Sequence, residues 1–380
     1  MPPLVLCVAL PPPMTGQAAA SEMLLAALDA RGWAYRTVNY AGAFRTGSRL
    51  GGIAGRALQV ALLPFRLVAQ TAPLREAPIF YFQIGQGTAA LLRDLPLLGH
   101  AASRGWPIVL HVHGGGFRTA LERAPAPLRW LVERIVRRAA RAIVLSPSLA
   151  PMFEGRIDPR RVVAVDNGVD PALAAAGAAA TRTHGPARGI TALFLSNLME
   201  QKGYVAFLEA ARLDAARGAR HRFVLAGAPT DATPVDPRAF VRAHGLDNVR
   251  YEGPVRGARK HELLAEAGAF VLPTRYPVEG QPIAILEALH FGLPVVTTRA
   301  GGIPDVIREG DNGLFVQPDD AAALLAALDR LADEPSLRAR CDQNNRALAR
   351  HRFTAEAHGE AMLRVLADVA AERWPGRYGA

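Results

Sequence analysis

The stretch from Ala269 to Gly292, AFVLPTRYPVEGQPIAILEALHFG, constrains the fold more tightly than any other part of the chain. Ala269 to Pro273 is a short apolar run that stops at proline, the pattern of a buried strand, and Thr274 to Gln281 is a loop rich in proline and glycine. Pro282 suits the first turn of a helix, Gly292 its C-cap, and Pro294 stands just beyond, before another apolar strand at Val295 to Thr298. Strand, loop, helix and strand in this order form the repeating unit of an α/β fold with a parallel sheet. Glu279 lies in the loop and Glu287 more than one turn inside the helix. Ile283, Ile285, Leu286, Ala288, Leu289 and Phe291 leave that helix almost no polar face, so it is expected to be buried. An unpartnered Glu287 there would be costly, so it must meet a partner or a cavity.

The two carboxylates admit two readings. In the bland one Glu287 pairs with a nearby Arg and Glu279 is solvated. In the other, the free amides and positive end of the helix after Glu279 attract a phosphate, and Glu287 accepts hydrogen bonds from hydroxyl groups, a combination that suits a nucleotide sugar. The stretch resembles the Glu-x7-Glu signature of family 4 of the retaining glycosyltransferases, and Arg299 to Asp320, RAGGIPDVIREGDNGLFVQPDD, resembles the segment C-terminal to that signature in the family. The resemblance implies Glu279 near the donor sugar and its phosphates, Glu287 on the ribose hydroxyls, and the turn Gly280, Gln281, Pro282 and Ile283 beside the donor.

At 380 residues the chain is long enough for two domains, and half of it is hydrophobic, so two cores can be filled. Cys7 and Cys341 are the only cysteines, which excludes a disulfide framework and a Cys-based zinc site and fits a reducing compartment, the cytoplasm by default. The start, MPPLVLCVALPPP, has no basic region and too short an apolar core for secretion, and no stretch reaches the ~20 apolar residues of a membrane span. A soluble or peripheral protein is expected. The net charge of +10 is uneven: residues 1–170 hold 19 Arg against 10 acidic residues. Lys202 and Lys260 are the only lysines. Zinc-finger spacing and an aromatic-interleaved basic motif are lacking, so an anionic membrane surface or an acidic acceptor fits the basic half better than nucleic acid.

In chain order, strand Leu4 to Leu10 leads through Thr15, Gly16 and Gln17 to a helix from about Ala18 to Arg31. The resemblance puts a Gly-containing loop here near donor and acceptor, and a plain connection would look the same. Tyr35 to Tyr40 reads as a strand, Ala41 to Gly55 as a flexible segment, and Gly55 to Gln70 as an apolar helix interrupted by Pro64, either interfacial or core-facing. After strand Ile79 to Phe82, GQGTAA at Gly85 to Ala90 mimics a dinucleotide fingerprint, but it opens no first strand-helix unit and reads as a tight turn. Strand Pro107 to Val112 delivers His111, His113 and Gly114 into a loop. Further metal ligands are missing, and the resemblance carries the family's active-site His onto His113, hydrogen-bonding the donor sugar. Leu128 to Arg141 reads as an Arg-rich helix, Ala142 to Leu145 and Val162 to Val165 as strands; Ser146 and the Asn167 loop, DNGVD, match family turns that ordinary turns also resemble.

Ala172 to Gly189, rich in Ala, Gly and Thr, reads as a linker. A second α/β series runs on from Ile190, and its first loop, FLSNLMEQKGY, carries Lys202 and Gly203 where the family's diphosphate-binding Lys-Gly stands. Asn197 stands where the family has Arg, so this chain has one donor-binding cation fewer, although Asn can donate hydrogen bonds. The resemblance implies a GT-B fold, two Rossmann-like domains with parallel sheets facing an interdomain cleft: residues 1–171 for the acceptor, 190–352 for the nucleotide sugar, and 353–380 as a helix returning to the first domain. Its implied activity is retaining transfer from a nucleoside diphosphate sugar, with Lys202, Glu279 and His113 catalytic and no metal or other cofactor. The acceptor would be a glycan or lipid-linked glycan, with peripheral attachment to an anionic membrane. A non-catalytic nucleotide-sugar-binding partner would keep the fold, and a nicotinamide oxidoreductase would leave Glu279, Glu287 and Lys202 without a joint purpose.

Overall fold

Short apolar runs become strands, the stretches between them become helices, and the outcome in each half is one parallel six-stranded sheet. The computed structural model describes residues 1–12, 15–41, 55, 57–182, 188–231 and 233–372. The chain divides into two units, Met1–Gly168 with Ala355–Ala380, and Val169–Thr354.

In the first unit the strands are β1 (Leu4–Val8), β2 (Tyr35–Asn39), β3 (Ile79–Gln83), β4 (Ile108–Val112), β5 (Arg141–Val144) and β6 (Val162–Ala164), in spatial order β2-β1-β3-β4-β5-β6. β1, β3 and β4 are buried at every residue, as expected of parallel strands covered on both faces. Helices Leu63–Thr71, Thr88–Ser103 and Ala126–Val136 cover one face, over Phe80, Phe82, Leu110 and Val112. Helices Gly16–Ala30 and Ala355–Ala371 cover the other, meeting through Leu24, Leu28, Met362 and Leu366. Gly359 permits their approach, since a Cβ there would lie 2.8 Å from that of Ala27. The final helix is held further by an Arg141–Glu372 ion pair and by His358 Nδ1, 2.7 Å from the carbonyl of Asp166.

Several boundaries differ from the sequence reading. The Arg-rich helix ends at Val136, and Arg141 opens β5. Pro64 occupies the first turn of Leu63–Thr71, where its missing amide costs nothing, so it starts that helix. The segment expected to be flexible falls, for residues 42–54, outside the described residues, as does Arg56. Helix Thr88–Ser103 begins inside GQGTAA, and the periodicity that would announce it is broken by Pro96. Gly85 serves that turn: its amide donates to Asp94 at 2.7 Å, and a Cβ would lie 2.3 Å from that of Ala90.

In the second unit β7 (Thr191–Leu195), β8 (Arg222–Ala226), β9 (Val249–Gly253), β10 (Ala269–Leu272), β11 (Val295–Thr297) and β12 (Gly313–Phe315) lie in the order β12-β11-β10-β7-β8-β9. Phe194, Phe207 and Phe223 pack ring to ring in its core. The expected linker opens instead as a helix, Pro171–Ala179, whose N-cap Asp170 accepts from the amide of Leu173 at 3.0 Å. Alanine shows no apolar period yet is the strongest helix former. This helix packs against Ile283–His290, where a Cβ on Gly177 would lie 2.7 Å from the carbonyl of His290.

Candidate functional site

The second sheet winds from β7 through β8 to β9, then returns to add β10 on the opposite side of β7. At such a switch point the loops leaving the two strands part and open a crevice at their C-terminal ends. Here the loops are Ser196 to Gly203 and Pro273 to Gln281. Gly203, with φ +85°, lets them pass, because a Cβ would sit 2.4 Å from the carbonyl of Pro273. Next to it, Lys202 Nζ donates to both carboxylate oxygens of Glu279, at 2.8 and 2.7 Å. Thr274 Oγ1 donates to the same carboxylate at 2.9 Å, and the Tyr276 ring lies 4.7 Å from the ammonium. Gly301, φ +52°, passes under Glu279, where a Cβ would lie 2.2 Å from its carbonyl oxygen. Glu279 is thereby only 5% exposed.

Eight residues on, the carboxylate of Glu287 is 7% exposed and lies 2.5 Å from Lys260 Nζ. Burial raises the pKa of Glu287, the Lys260 ammonium opposes that rise, and Asp170 adds to it. The only two lysines of the chain thus hold its two signature carboxylates. The bland reading is corrected in both parts: Glu279 is buried and paired, and the partner of Glu287 is Lys rather than Arg. Gly280 and Gln281 are buried, Pro282 and Ile283 half-buried at the helix start, and Asn197 is exposed. A cavity of about 740 Å³ opens beside the pair, with Thr274, Tyr276, Thr298, Arg299, Gly301 and Phe315 in its wall.

In the first unit the corresponding switch point lies between β1 and β3, and Gln83 at the end of β3 is its hub. Gln83 Oε1 accepts from the amide of Ala9 at 2.8 Å, which orients the side-chain amide. Its Nε2 therefore donates to Ser21 at 2.9 Å and to His113 Nε2 at 3.1 Å, which leaves the imidazole proton of His113 on Nδ1. Gln17 reaches the same hub, donating to Tyr40 at 2.6 Å and to Gln83 at 3.3 Å. Burial and then His358 hold the pKa of half-buried His113 down to about 3, so the ring is neutral near pH 7. Thr15 caps the helix that Gly16 begins, accepting from Ala18 at 3.1 Å.

His111 does not reach the loop. It is the fourth residue of β4, fully buried, stacked 3.9 Å from the His113 ring and 2.5 Å from the Tyr81 hydroxyl. It is a packing partner of His113, without access to an acceptor. Gly114 is buried; Ser146 is buried with its hydroxyl 3.0 Å from Ser148, and Asn167 is buried after β6. Hydrogen bonds thus join Ala9, Gln17, Ser21, Tyr40 and His113 at Gln83. Sequence reasoning missed Lys260, Gln83, Tyr40 and Tyr276. The scarcity of lysine could have found Lys260, as it singled out Lys202, and a polar residue closing the run IFYFQ marks Gln83. Among the described residues no group of three or more His, Cys, Asp or Glu could hold a metal ion.

Known protein families match in both halves, Glycosyltransferase Family 4 over residues 21–173 and Glycosyl transferases group 1 over residues 183–348. The chain is 26% identical over 282 residues to an alpha-D-kanosaminyltransferase of Streptomyces kanamyceticus, covering 70% of this chain and 71% of that one. It is 28% identical over 259 residues to a GDP-mannose:cellobiosyl-diphosphopolyprenol alpha-mannosyltransferase of Xanthomonas campestris, covering 66% and 64%. Among solved structures, Anabaena Alr3699/HepE in complex with UDP superposes with a TM-score of 0.71 at 17% identity, over 97% of this chain and all of that one. Two six-stranded parallel sheets, the Glu279–Glu287 unit and both family matches agree, and the chain belongs to the GT-B glycosyltransferases of group 1 and family 4.

Proposed function

We propose that this chain transfers a sugar from a nucleoside diphosphate sugar to a glycan or lipid-linked acceptor, with retention at the anomeric carbon. The observation that carries the reading is Lys202 holding both oxygens of buried Glu279 in front of a helix N-terminus. A diphosphate entering this crevice offers Lys202 a second anionic partner, and the turn Gly280 to Ile283 with the positive helix end offers further stabilisation. Glu287, paired with the Lys260 ammonium, accepts from the ribose hydroxyls. As the bond from the anomeric carbon to the diphosphate oxygen breaks, the acceptor oxygen attacks from the same face and its proton passes to the departing diphosphate. Lys202 stabilises the charge that develops there. The oxygens of Glu279 already accept from Lys202 and Thr274, which favours an orienting role over covalent attack on the sugar. Neutral His113, with its proton on Nδ1, supplies a hydrogen bond to the donor sugar and no proton transfer. No metal or other cofactor enters this scheme.

By its name the Xanthomonas relative acts on a polyprenol-linked sugar, and the Anabaena neighbour was crystallised with UDP, so uridine diphosphate sugars and lipid-linked acceptors come first in the test. Thermal unfolding is measured with a panel of nucleoside diphosphate sugars, since a ligand that binds only the folded state raises Tm. The best stabiliser is then supplied radiolabelled with candidate acceptors, and the anomeric configuration of the product is read by NMR. A panel that leaves Tm unchanged overturns the reading. Stabilisation with neither hydrolysis nor transfer would make the chain a non-catalytic binder.

A further inference from the structure

Arg182 stands just beyond helix Pro171–Ala179, within the stretch Ala172 to Gly189 that the sequence reads as a linker, and its guanidinium reaches the C-terminal ends of two other helices. Nε donates to the carbonyl of Phe291 at 2.5 Å, Nη1 to that of Ala267 at 2.5 Å and Nη2 to that of Leu264 at 2.8 Å. Phe291 closes helix Ile283–His290, and Leu264 and Ala267 close helix Gly257–Glu266. Those helices carry Glu287 and Lys260. Leu264 comes four residues after Lys260 and Phe291 four after Glu287, so each carbonyl lies one turn, ~5.4 Å, further along the same helix than its member of the pair. One planar fork thus joins the two helices one turn beyond the point where their charges meet.

The rest of the segment leaves this fork little freedom. Helix Pro171–Ala179 packs against both helices, and a Cβ on Gly177 would meet the carbonyl of His290. A second guanidinium, that of Arg346, donates to the carbonyls of Gly177 at 2.7 Å, Ala180 at 2.8 Å and Phe291 at 3.2 Å, and is itself held by Asp342 at 2.7 Å. Burial lowers the pKa of Arg182 to about 10, with Asp342 opposing the shift and Arg346 adding to it. The guanidinium is therefore charged at pH 7, and it faces the negative ends of two helix dipoles. A cap on one helix satisfies carbonyls, whereas a fork shared by two also fixes their separation. Buried Arg338 shows the simpler case, donating to Leu331 and Ala332 of the single helix Ala321–Asp333.

We propose that Arg182 is a positioning residue for donor binding, its fork setting the separation of helices Gly257–Glu266 and Ile283–His290 and through it the Lys260–Glu287 contact. The effect on affinity rests on the ribose role proposed for Glu287; the clamp on the pair does not. The full chain is titrated calorimetrically with UDP, GDP and ADP, and Glu287 is followed by carbon NMR of glutamate labelled at the side-chain carboxyl, its signal assigned with Glu287→Gln. Arg182→Gln should weaken the nucleotide that wild type binds by about tenfold at pH 7. In a Lys260→Met background the same change should have no further effect, because the contact it serves is already gone. Lys260, Asp170 and His261 are the charges acting on Glu287, so a loosened Lys260 contact should move the Glu287 titration to higher pH. Arg182→Lys keeps the charge without the fork and should behave as Arg182→Gln does. Arg338→Gln uncaps a helix that carries neither member of the pair, and should lower Tm while leaving nucleotide affinity and the Glu287 titration as in wild type.

Wild-type affinity and titration in folded Arg182→Gln overturn the proposal, as do losses that add to those of Lys260→Met. Full rescue by lysine would reduce the role to charge and overturn the fork, and an equal loss of affinity in Arg338→Gln would trace both effects to general destabilisation. Should Arg182→Gln fail to fold, Arg182→Lys carries the same measurements. A wild type that binds none of the nucleotides defeats the donor reading, and the Glu287 titration then decides the clamp by itself. A shifted titration with unchanged affinity keeps the clamp and removes the ribose role of Glu287.

Discussion

Replacing Lys260 with Met should make donor binding depend more steeply on pH. Glu287 is buried and its Oε1 lies 2.5 Å from the Lys260 ammonium. Two unit charges about 4 Å apart attract by about 4 kcal/mol at an effective dielectric of ~20, and partial exposure of the lysine trims this to roughly 2 to 3 kcal/mol. Without that attraction, burial and the negative charge of Asp170 act on Glu287 with only His261 opposing them, and its carboxyl takes up a proton more readily. A protonated Glu287 loses an acceptor for the ribose hydroxyls, worth about 1.5 to 3 kcal/mol, or about 10- to 150-fold in Kd. Calorimetric titration of the stabilising donor should show an affinity that recovers with rising pH later and more steeply in Lys260→Met than in wild type, and a wild-type profile again in Lys260→Arg.

The stability of the same variant carries a sign that can be checked. Burial raises the folded pKa of Glu287 above its ordinary 4.5, so the folded state holds the proton more tightly than the unfolded chain. Its contribution to stability is full below 4.5 and is lost as pH rises through the folded value. Removing Lys260 enlarges the loss, and the Tm deficit against wild type should widen from pH 4.5 upward. Wild-type melting with a wild-type affinity profile would reduce Lys260 to a solvated side chain. Binding weakened equally at every pH would mean that Lys260 touches the donor itself instead of acting through Glu287.

Lys202→Ala and Glu287→Ala should each cost about 1.5 to 3 kcal/mol of donor affinity by calorimetry, and unchanged affinity in both would reject their assignments. Glu279→Gln and His113→Ala should lower kcat more than donor affinity in steady-state assays; a change confined to affinity would count against a role in the transfer step. Gly301→Ala needs a left-handed backbone and places a methyl against the carbonyl of Glu279, so it should lower both Tm and activity, whereas wild-type Tm and turnover would show that the loop simply gives way. Burial depresses His111, His113 and His358 below their ordinary 6.5, so the folded state binds fewer protons than the unfolded chain. That stabilisation is full above pH 6.5 and lost as pH falls toward about 3, so denaturant midpoints should drop on acidification and His113→Gln should flatten the slope.

Much of the second unit was legible along the chain because its determinants are local. A run ending at Pro273, a glycine loop, a helix closed by Gly292 and a strand after Pro294 are read from neighbouring residues, and the α/β class comes from their repetition. Glu287 stood out for the same reason, since a carboxylate in an apolar helix breaks a local rule, and Glu279 by its place in the loop just before that helix. Elements whose signal is weak or interrupted escape such a reading: the alanine helix Pro171–Ala179, Thr88–Ser103 around Pro96, and three-residue β12.

Local pattern could not say what neutralises those carboxylates. Lys202 and Glu279 are 77 residues apart, Lys260 and Glu287 are 27, and each pair meets only because the winding of the second sheet brings the loops and helices together. In the same way, the pattern of two apolar stripes on helices Leu63–Thr71 and Ala126–Val136 could not say which stripe faced the sheet. Packing chose Leu67 and Val132 for the core and left Phe65 and Trp130 in solvent. Backbone propensity and hydrophobic period act over a few residues and determined the class of fold; the pairing of buried charges and the choice of an exposed face are long-range, and only the tertiary structure decided them.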